Sequence, residues 1–198
     1  MNFKTARIAP IAALVAAVFA SGAYAQSAAS ETQRDVNQQQ RIEQGLKSGS
    51  LSTGEAARLE KGEARIDRME ANSMKNGNLS DAEKARIQRA QNQESRAINR
   101  AENNGVTGNP NSASSQRMQA DVQRNINQEK RINQGVRSGE LTNKEAGRLE
   151  KGEARIDRKE ARAGANGHVS AGEQARIQHA DNSESKRIYR QKHDAQVR

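Results

Sequence analysis

The chain has no cysteine in its 198 residues, which excludes disulfides, thiolate metal sites and a thiol-linked lipid anchor. Tryptophan is also absent, and beyond residue 25 the only aromatic side chain is Tyr189. Stacking platforms for single-stranded nucleic acid are therefore missing. Beyond the same point no apolar stretch approaches the roughly 18 residues that a membrane span needs. Enzyme signatures are missing as well: there is no paired-histidine metal motif, no glycine-rich phosphate loop and no nucleophile elbow. The chain is read as non-enzymatic. Large aliphatic side chains are scarce, so stability has to come from helix propensity, capping, small-residue packing and self-association.

What is present begins with a leader. Lys4 and Arg7 precede an apolar run from Ile11 to Ala20, followed by small residues ending Ala23-Tyr24-Ala25. Residues 1–25 are expected to be a secretory signal cleaved near Ala25, which places the remainder in the periplasm, with release from the cell as second choice. Setting aside Lys4 and Arg7 leaves 31 basic against 24 acidic side chains, a net charge of +7. The two signs are interleaved throughout, which argues against a nucleic-acid partner.

The segment Arg58 to Arg68, RLEKGEARIDR, recurs letter for letter as Arg148 to Arg158, and its surroundings match at the same offset. The chain is thus a duplication. Two helical repeat domains, 26–102 and 116–198, are expected on either side of a flexible linker, 103–115, which contains Pro110. Within each repeat a weaker similarity at an offset of 28 relates Gly49, Leu51, Ser52 and Glu55 to Gly77, Leu79, Ser80 and Glu83. Each such corner joins a glycine suited to the left-handed end of a helix to a Ser or Thr followed three residues later by Glu, a capping box. The fold class is therefore all-α. Three antiparallel helices are expected in each repeat, at 31–47, 52–74 and 80–102, and at 116–137, 142–163 and 170–194.

On a helical wheel the duplicated block has three stripes. Leu59, Gly62, Ile66 and Met69 form a seam, with Glu60, Glu63, Asp67 and Glu70 on one side and Arg58, Lys61, Arg65 and Arg68 on the other. The favoured reading is a packed seam whose charged flanks set register, as in coiled coils. The alternative makes the basic stripe, with Arg148, Lys151, Arg155 and Arg158 in the second repeat, a surface for an anionic partner. The histidines, His168, His179 and His193, occur only in the second repeat. On one helix the last two stand about 21 Å apart, too far to share an ion.

The corners resemble the second half of an EF-hand calcium loop. With each glycine at the sixth position, the aliphatic residue falls at the eighth and Glu55, Glu83, Glu145 or Glu173 at the twelfth, where that family supplies a bidentate ligand. The resemblance implies these four glutamates as candidate ligands of a divalent cation; no other cofactor is expected. The first position departs from aspartate, holding Gln44, Asn72, Gln134 or Arg162. The phrases LSTGE, LSDAE and LTNKE (from Leu51, Leu79 and Leu141) also resemble the LTxxQ helix starts of the periplasmic Spy and CpxP stress and chaperone family, with glutamate in place of glutamine. That likeness implies a helical envelope protein whose partner is a protein or envelope component, and which pairs with copies of itself. The function expected first is a stress-type or chaperone-like binding protein. A divalent-metal-binding protein is the alternative, and a self-assembling structural protein the third reading.

Overall fold

A computed structural model describes the backbone of residues 18–194 and the side chains from residue 28. The expected leader lies largely outside this range. Six helices follow in order: α1 (Val18–Ser48), α2 (Thr53–Ser73), α3 (Asp81–Glu102), α4 (Ala113–Ser138), α5 (Asn143–Ala163) and α6 (Ala171–Lys192). Short 3-10 turns at Met74–Asn76 and Gly164–Asn166 extend α2 and α5. No strand occurs among the described residues, and none of their helices is long and apolar enough to cross a membrane.

The helix boundaries follow from the corners. Gly49, Gly77, Gly139 and Gly167 all have φ near +80°, between +79° and +85°, a conformation that an L side chain adopts only at a cost. After each glycine, Ser52, Ser80, Thr142 or Ser170 accepts a hydrogen bond from the backbone N–H of the glutamate three residues on, and the glutamate carboxylate accepts from the cap's backbone in return. Each complete cap stabilises its helix by about 1 kcal/mol. The fourth helix starts three residues earlier than expected, because Ser112 accepts from the backbone N–H of Ser115 at 3.1 Å and caps Ala113.

The packing differs from two tandem domains. The most extensive helix contacts join the repeats, α2 lying along α5 and α1 along α4, while α3 covers α1 and α2, and α6 covers α4 and α5. Both central pairs are antiparallel. Gly164 sits against Ala57 and Gly147 against Ala71 and Met74, while Asn133 Nδ2 donates to Ala29 O (2.6 Å) and Thr32 Oγ1 (2.8 Å). The apolar core is split into two clusters, and each draws on both repeats. One contains Ile42, Leu46, Ile98, Met118, Val122 and Ile177; the other contains Met74, Leu79, Ile87, Ile132, Leu141 and Ile188. The reason is the thinness of each seam: a three-helix unit with so few large aliphatic residues closes its core by meshing with a second copy.

The connection between the repeats is pinned where free movement is expected. The backbone N–H of Gly108 donates to Gly49 O at 2.8 Å, Asn104 Nδ2 donates to Glu55 Oε1 at 2.6 Å, and a Cβ on Gly108 would overlap the carbonyl of Leu51. Gly108→Ala should therefore destabilise the protein by about 1–3 kcal/mol in urea unfolding. Gly172→Ala, in the first turn of α6 with open space around it, should be neutral or stabilising by up to about 1 kcal/mol. Equal midpoints for Gly108→Ala and the parent protein would show that the connection is not pinned as described.

Candidate cation centre

Between the two apolar clusters lies a layer of acids. Glu60, Glu63, Asp67 and Glu70 on α2, and Glu150, Glu153, Asp157 and Glu160 on α5, are all buried, four of them with no exposed surface at all. The acidic stripe expected as a register-setting flank of the seam is thus the buried inner face of the α2–α5 pair. Asp35 and Glu31 on α1, Asp121 and Glu129 on α4, and Asp181 and Glu184 on α6 are buried with them, and the half-buried Glu94 joins from α3. No lysine or arginine is buried among the described residues. The basic stripe points the other way, with Arg58, Lys61, Arg65, Arg68, Arg148, Lys151 and Arg155 exposed and Arg158 partly so.

The duplicated glycine has a role that a wheel does not reveal. A Cβ on Gly62 would overlap the carboxylate of Glu94, and one on Gly152 would overlap that of Glu184. Glycine at this point in each block lets an acid from the third helix of the repeat reach the surface of the middle helix. Glu184 is also paired with the partly exposed Arg187 at 2.8 Å.

Two triads have carboxylate oxygens within 4.8 Å of one another: Glu60, Asp157 and Glu160 (site I), and Asp67, Glu129 and Glu150 (site II). Each site takes ligands from both repeats. At site I the amides of the outer helices complete the ring, Gln39 Nε2 donating to Glu60 Oε2 (3.0 Å) and Asn125 Nδ2 to Asp157 Oδ1 (3.2 Å) and Glu160 Oε2 (2.8 Å). Beside site II, Gln91 Nε2 bridges Asp35 Oδ1 (2.9 Å) and Glu70 Oε1 (3.1 Å). The two sites adjoin through Asp67 and Asp157, whose carboxyl groups are within hydrogen-bonding reach of each other.

Removing carboxylates from water disfavours their charged form, and crowding them together disfavours it further. Burial is the first cause throughout. It pushes Asp35, Glu94 and Asp121 up to about 7 and Glu60 to about 8. Glu63, Asp67, Glu70, Glu129, Glu150, Glu153, Asp157 and Glu160 lie well above the ordinary range, with neighbouring carboxylates adding to the effect of burial. Both carboxylate oxygens of Glu63, Glu150 and Glu153 lack a hydrogen-bond donor. A buried polar atom without a partner costs about 1–3 kcal/mol, and more when charged. Such an arrangement can be neutralised by protons or by a cation, and an all-oxygen, histidine-free donor set suits a hard one.

The four glutamates expected as ligands are engaged elsewhere. Glu55, Glu83, Glu145 and Glu173 each accept from the hydroxyl and backbone N–H of their own cap residue, at 2.6–3.0 Å, at four separate corners and outside the two triads. Hydrogen bonds from Ser80 and Ser170 hold Glu83 and Glu173 below the usual carboxylate range. Of the basic candidates, Arg58, Lys61, Arg65, Arg68 and Arg158 line one open groove between α2 and α5 together with Arg162; Arg148, Lys151 and Arg155 are not part of its lining. His168, His179 and His193 are exposed, and the ring of His193 stacks on Tyr189 at 4.1 Å. The acids that do converge share their three-four-three spacing with the bases at 58, 61, 65 and 68 and with the seam at 59, 62, 66 and 69, so spacing alone does not single them out.

No protein-family model matches the chain, and no similar chain is found among curated proteins or solved structures.

The raised carboxylates fix the sign of the pH dependence. Because their folded-state values exceed the ordinary ones, the folded chain holds more protons than the unfolded chain between about pH 4 and pH 8. The stability of the cation-free protein is then greatest at the acid end and falls as pH rises through the values near 6 for Asp181, 7 for Asp35 and 8 for Glu60. After treatment with chelator, the urea midpoint should be higher at pH 5 than at pH 8. The reverse order would contradict a cluster of buried, mutually repelling carboxylates.

Proposed function

We propose that this chain is a non-enzymatic, exported protein that binds hard metal cations within its helix bundle. One observation carries the reading: fully buried carboxylates from both repeats converge without a buried base, and both oxygens of several of them have no donor. Burying such groups for stability alone is costly, since well-packed apolar residues serve as well or better. Retaining them on both copies of a duplicated unit is consistent with a binding role. Export is supported by the leader-like residues 1–25. The non-enzymatic reading is supported by the sequence, in which a paired-histidine metal motif, a glycine-rich phosphate loop and a nucleophile elbow are missing.

The chaperone-like reading relies on apolar seams left open for clients. Those seams are covered by the opposite repeat, and the exposed large apolar side chains among the described residues are Val106 and Tyr189. The cation reading therefore has the better support, with its ligands in the bundle interior and the corner glutamates serving as caps.

The test is thermal unfolding of chelator-treated protein lacking residues 1–25, at pH 7.5, with and without Mg2+, Ca2+ or Mn2+. A cation present at about 1,000 times its Kd contributes roughly 4 kcal/mol, which in a chain of this size raises Tm by about 8–16 °C. Glu60→Gln combined with Glu150→Gln, one ligand from each site, should remove at least half of that rise and leave the protein folded. Glu83→Gln with Glu173→Gln should preserve it, because glutamine also completes a capping box. No rise with any of these cations, or a rise lost only in the corner variant, would overturn the proposal.

A further inference from the structure

The two triads share one contact. On α2, Asp67 of site II follows Glu60 of site I by two turns, and on α5 Asp157 of site I follows Glu150 of site II by the same interval, about 10 Å along each helix. Because the helices run antiparallel, these intervals overlap at their later ends. There the carboxyl groups of Asp67 and Asp157 come within hydrogen-bonding reach. The two residues are counterparts at the ninety-residue offset, so the contact joins equivalent positions of the two repeats and belongs to both sites. Further carboxyl contacts run outward from it, Glu60 with Glu160 inside site I and Glu129 with Glu150 inside site II.

Oxygens without a donor occur on both sides of this contact: Glu60 Oε1 and Glu160 Oε1 at site I, and Asp67 Oδ2 with both oxygens of Glu150 at site II. These four residues are at most 2 % exposed. Glu63 and Glu153, a further pair of counterparts, are buried on the same helices, and neither oxygen of either has a donor. Each triad holds three carboxylates, and one divalent ion compensates two charges. A single ion therefore leaves the other triad unmet, where low dielectric makes uncompensated charge costly. We infer that the layer takes up divalent cations as a pair, one at each site, with Asp67 and Asp157 between them as bridging ligands, which rests on the cation-binding reading and adds the number and spacing of the ions. Such ions sit about 2.3–2.6 Å from their oxygens and hydrogen-bonded oxygens lie about 3 Å apart, so ions held by Asp67 and Asp157 stand on the order of 8 Å apart or closer. The separation falls toward about 4 Å where one carboxylate gives an oxygen to each ion. Two cations this close repel each other, and carboxylates attracted to both offset the repulsion.

Electron paramagnetic resonance with Mn2+ as the probe tests the pair. Chelator-treated protein lacking residues 1–25 is titrated with Mn2+, bound and free ion are counted, and the spectrum of the bound ion is recorded. The parent protein should bind two Mn2+ per chain, and at saturation their spectrum should be broadened by spin–spin interaction. Glu60→Gln/Glu160→Gln, which disables site I, should bind one Mn2+ with the sharp six-line spectrum of an isolated ion. Asp67→Asn/Asp157→Asn, which removes the carboxylates between the ions, should weaken uptake of the second ion by roughly 10-fold or more. The parent's spectrum decides the pairing even where a variant fails to fold. One Mn2+ per chain, two without spin–spin interaction, or a second ion bound equally well by Asp67→Asn/Asp157→Asn would overturn the bridged pair and leave cation binding standing. A parent that binds no Mn2+ would overturn the pair, and one whose thermal unfolding also ignores Mg2+ and Ca2+ would overturn the cation reading with it.

Discussion

Everything in this structure is arranged around the burial of like charge. Carboxylates from all six helices are withdrawn wholly or partly from water into one layer, and among the described residues no lysine or arginine is buried with them. Such a layer has to be neutralised from outside the side-chain inventory, by protons or by a metal ion. The other features can be understood as accommodating it. Apolar clusters close the bundle at both ends, and the bases of the duplicated block are turned outward. Glycine at 62 and 152 lets the third helix of each repeat bring one more carboxylate to the middle helix.

The secondary structure was legible because its signals are local. Four glycines and four Ser/Thr-x-x-Glu boxes mark the corners, and each is satisfied within a few residues of chain. The pairing of repeats was not legible, because a helical wheel for α2 carries no information about α5. Without that pairing, Glu60, Glu63, Asp67 and Glu70 look like one flank of a seam, and the general rarity of buried acids favours placing them in solvent. The corner glutamates drew attention as ligands for the opposite reason: a capping carboxylate and a calcium-loop carboxylate occupy the same place in a helix-loop-helix sequence. Only the partner it meets, its own cap hydroxyl or an ion, separates the two.

Arginines and lysines at 58, 61, 65 and 68 lie on the same helix as the buried carboxylates, a helix thickness away from them. Exposed to water they are screened and neutralise the interior only weakly. At Glu94 one of them, Arg65, together with Arg100, partly offsets the effect of burial. The charge stripes of the duplicated block are therefore one polarised element, acid inside and base outside.

The antiparallel meshing of α2 with α5 and of α1 with α4 also bears on how such a chain could have arisen. A lone repeat would be half of a bundle, and two identical copies meeting about a twofold axis would be obliged by symmetry to build two identical sites. Joining the copies end to end, through the segment pinned at Gly49 and Gly108, removes that obligation. Asn125 can then differ from Asp35, and Gln39 from Glu129, without either change being imposed twice. Fusion converts a symmetric pair into an addressable one, in which each half of a shared interior can be altered independently of the other.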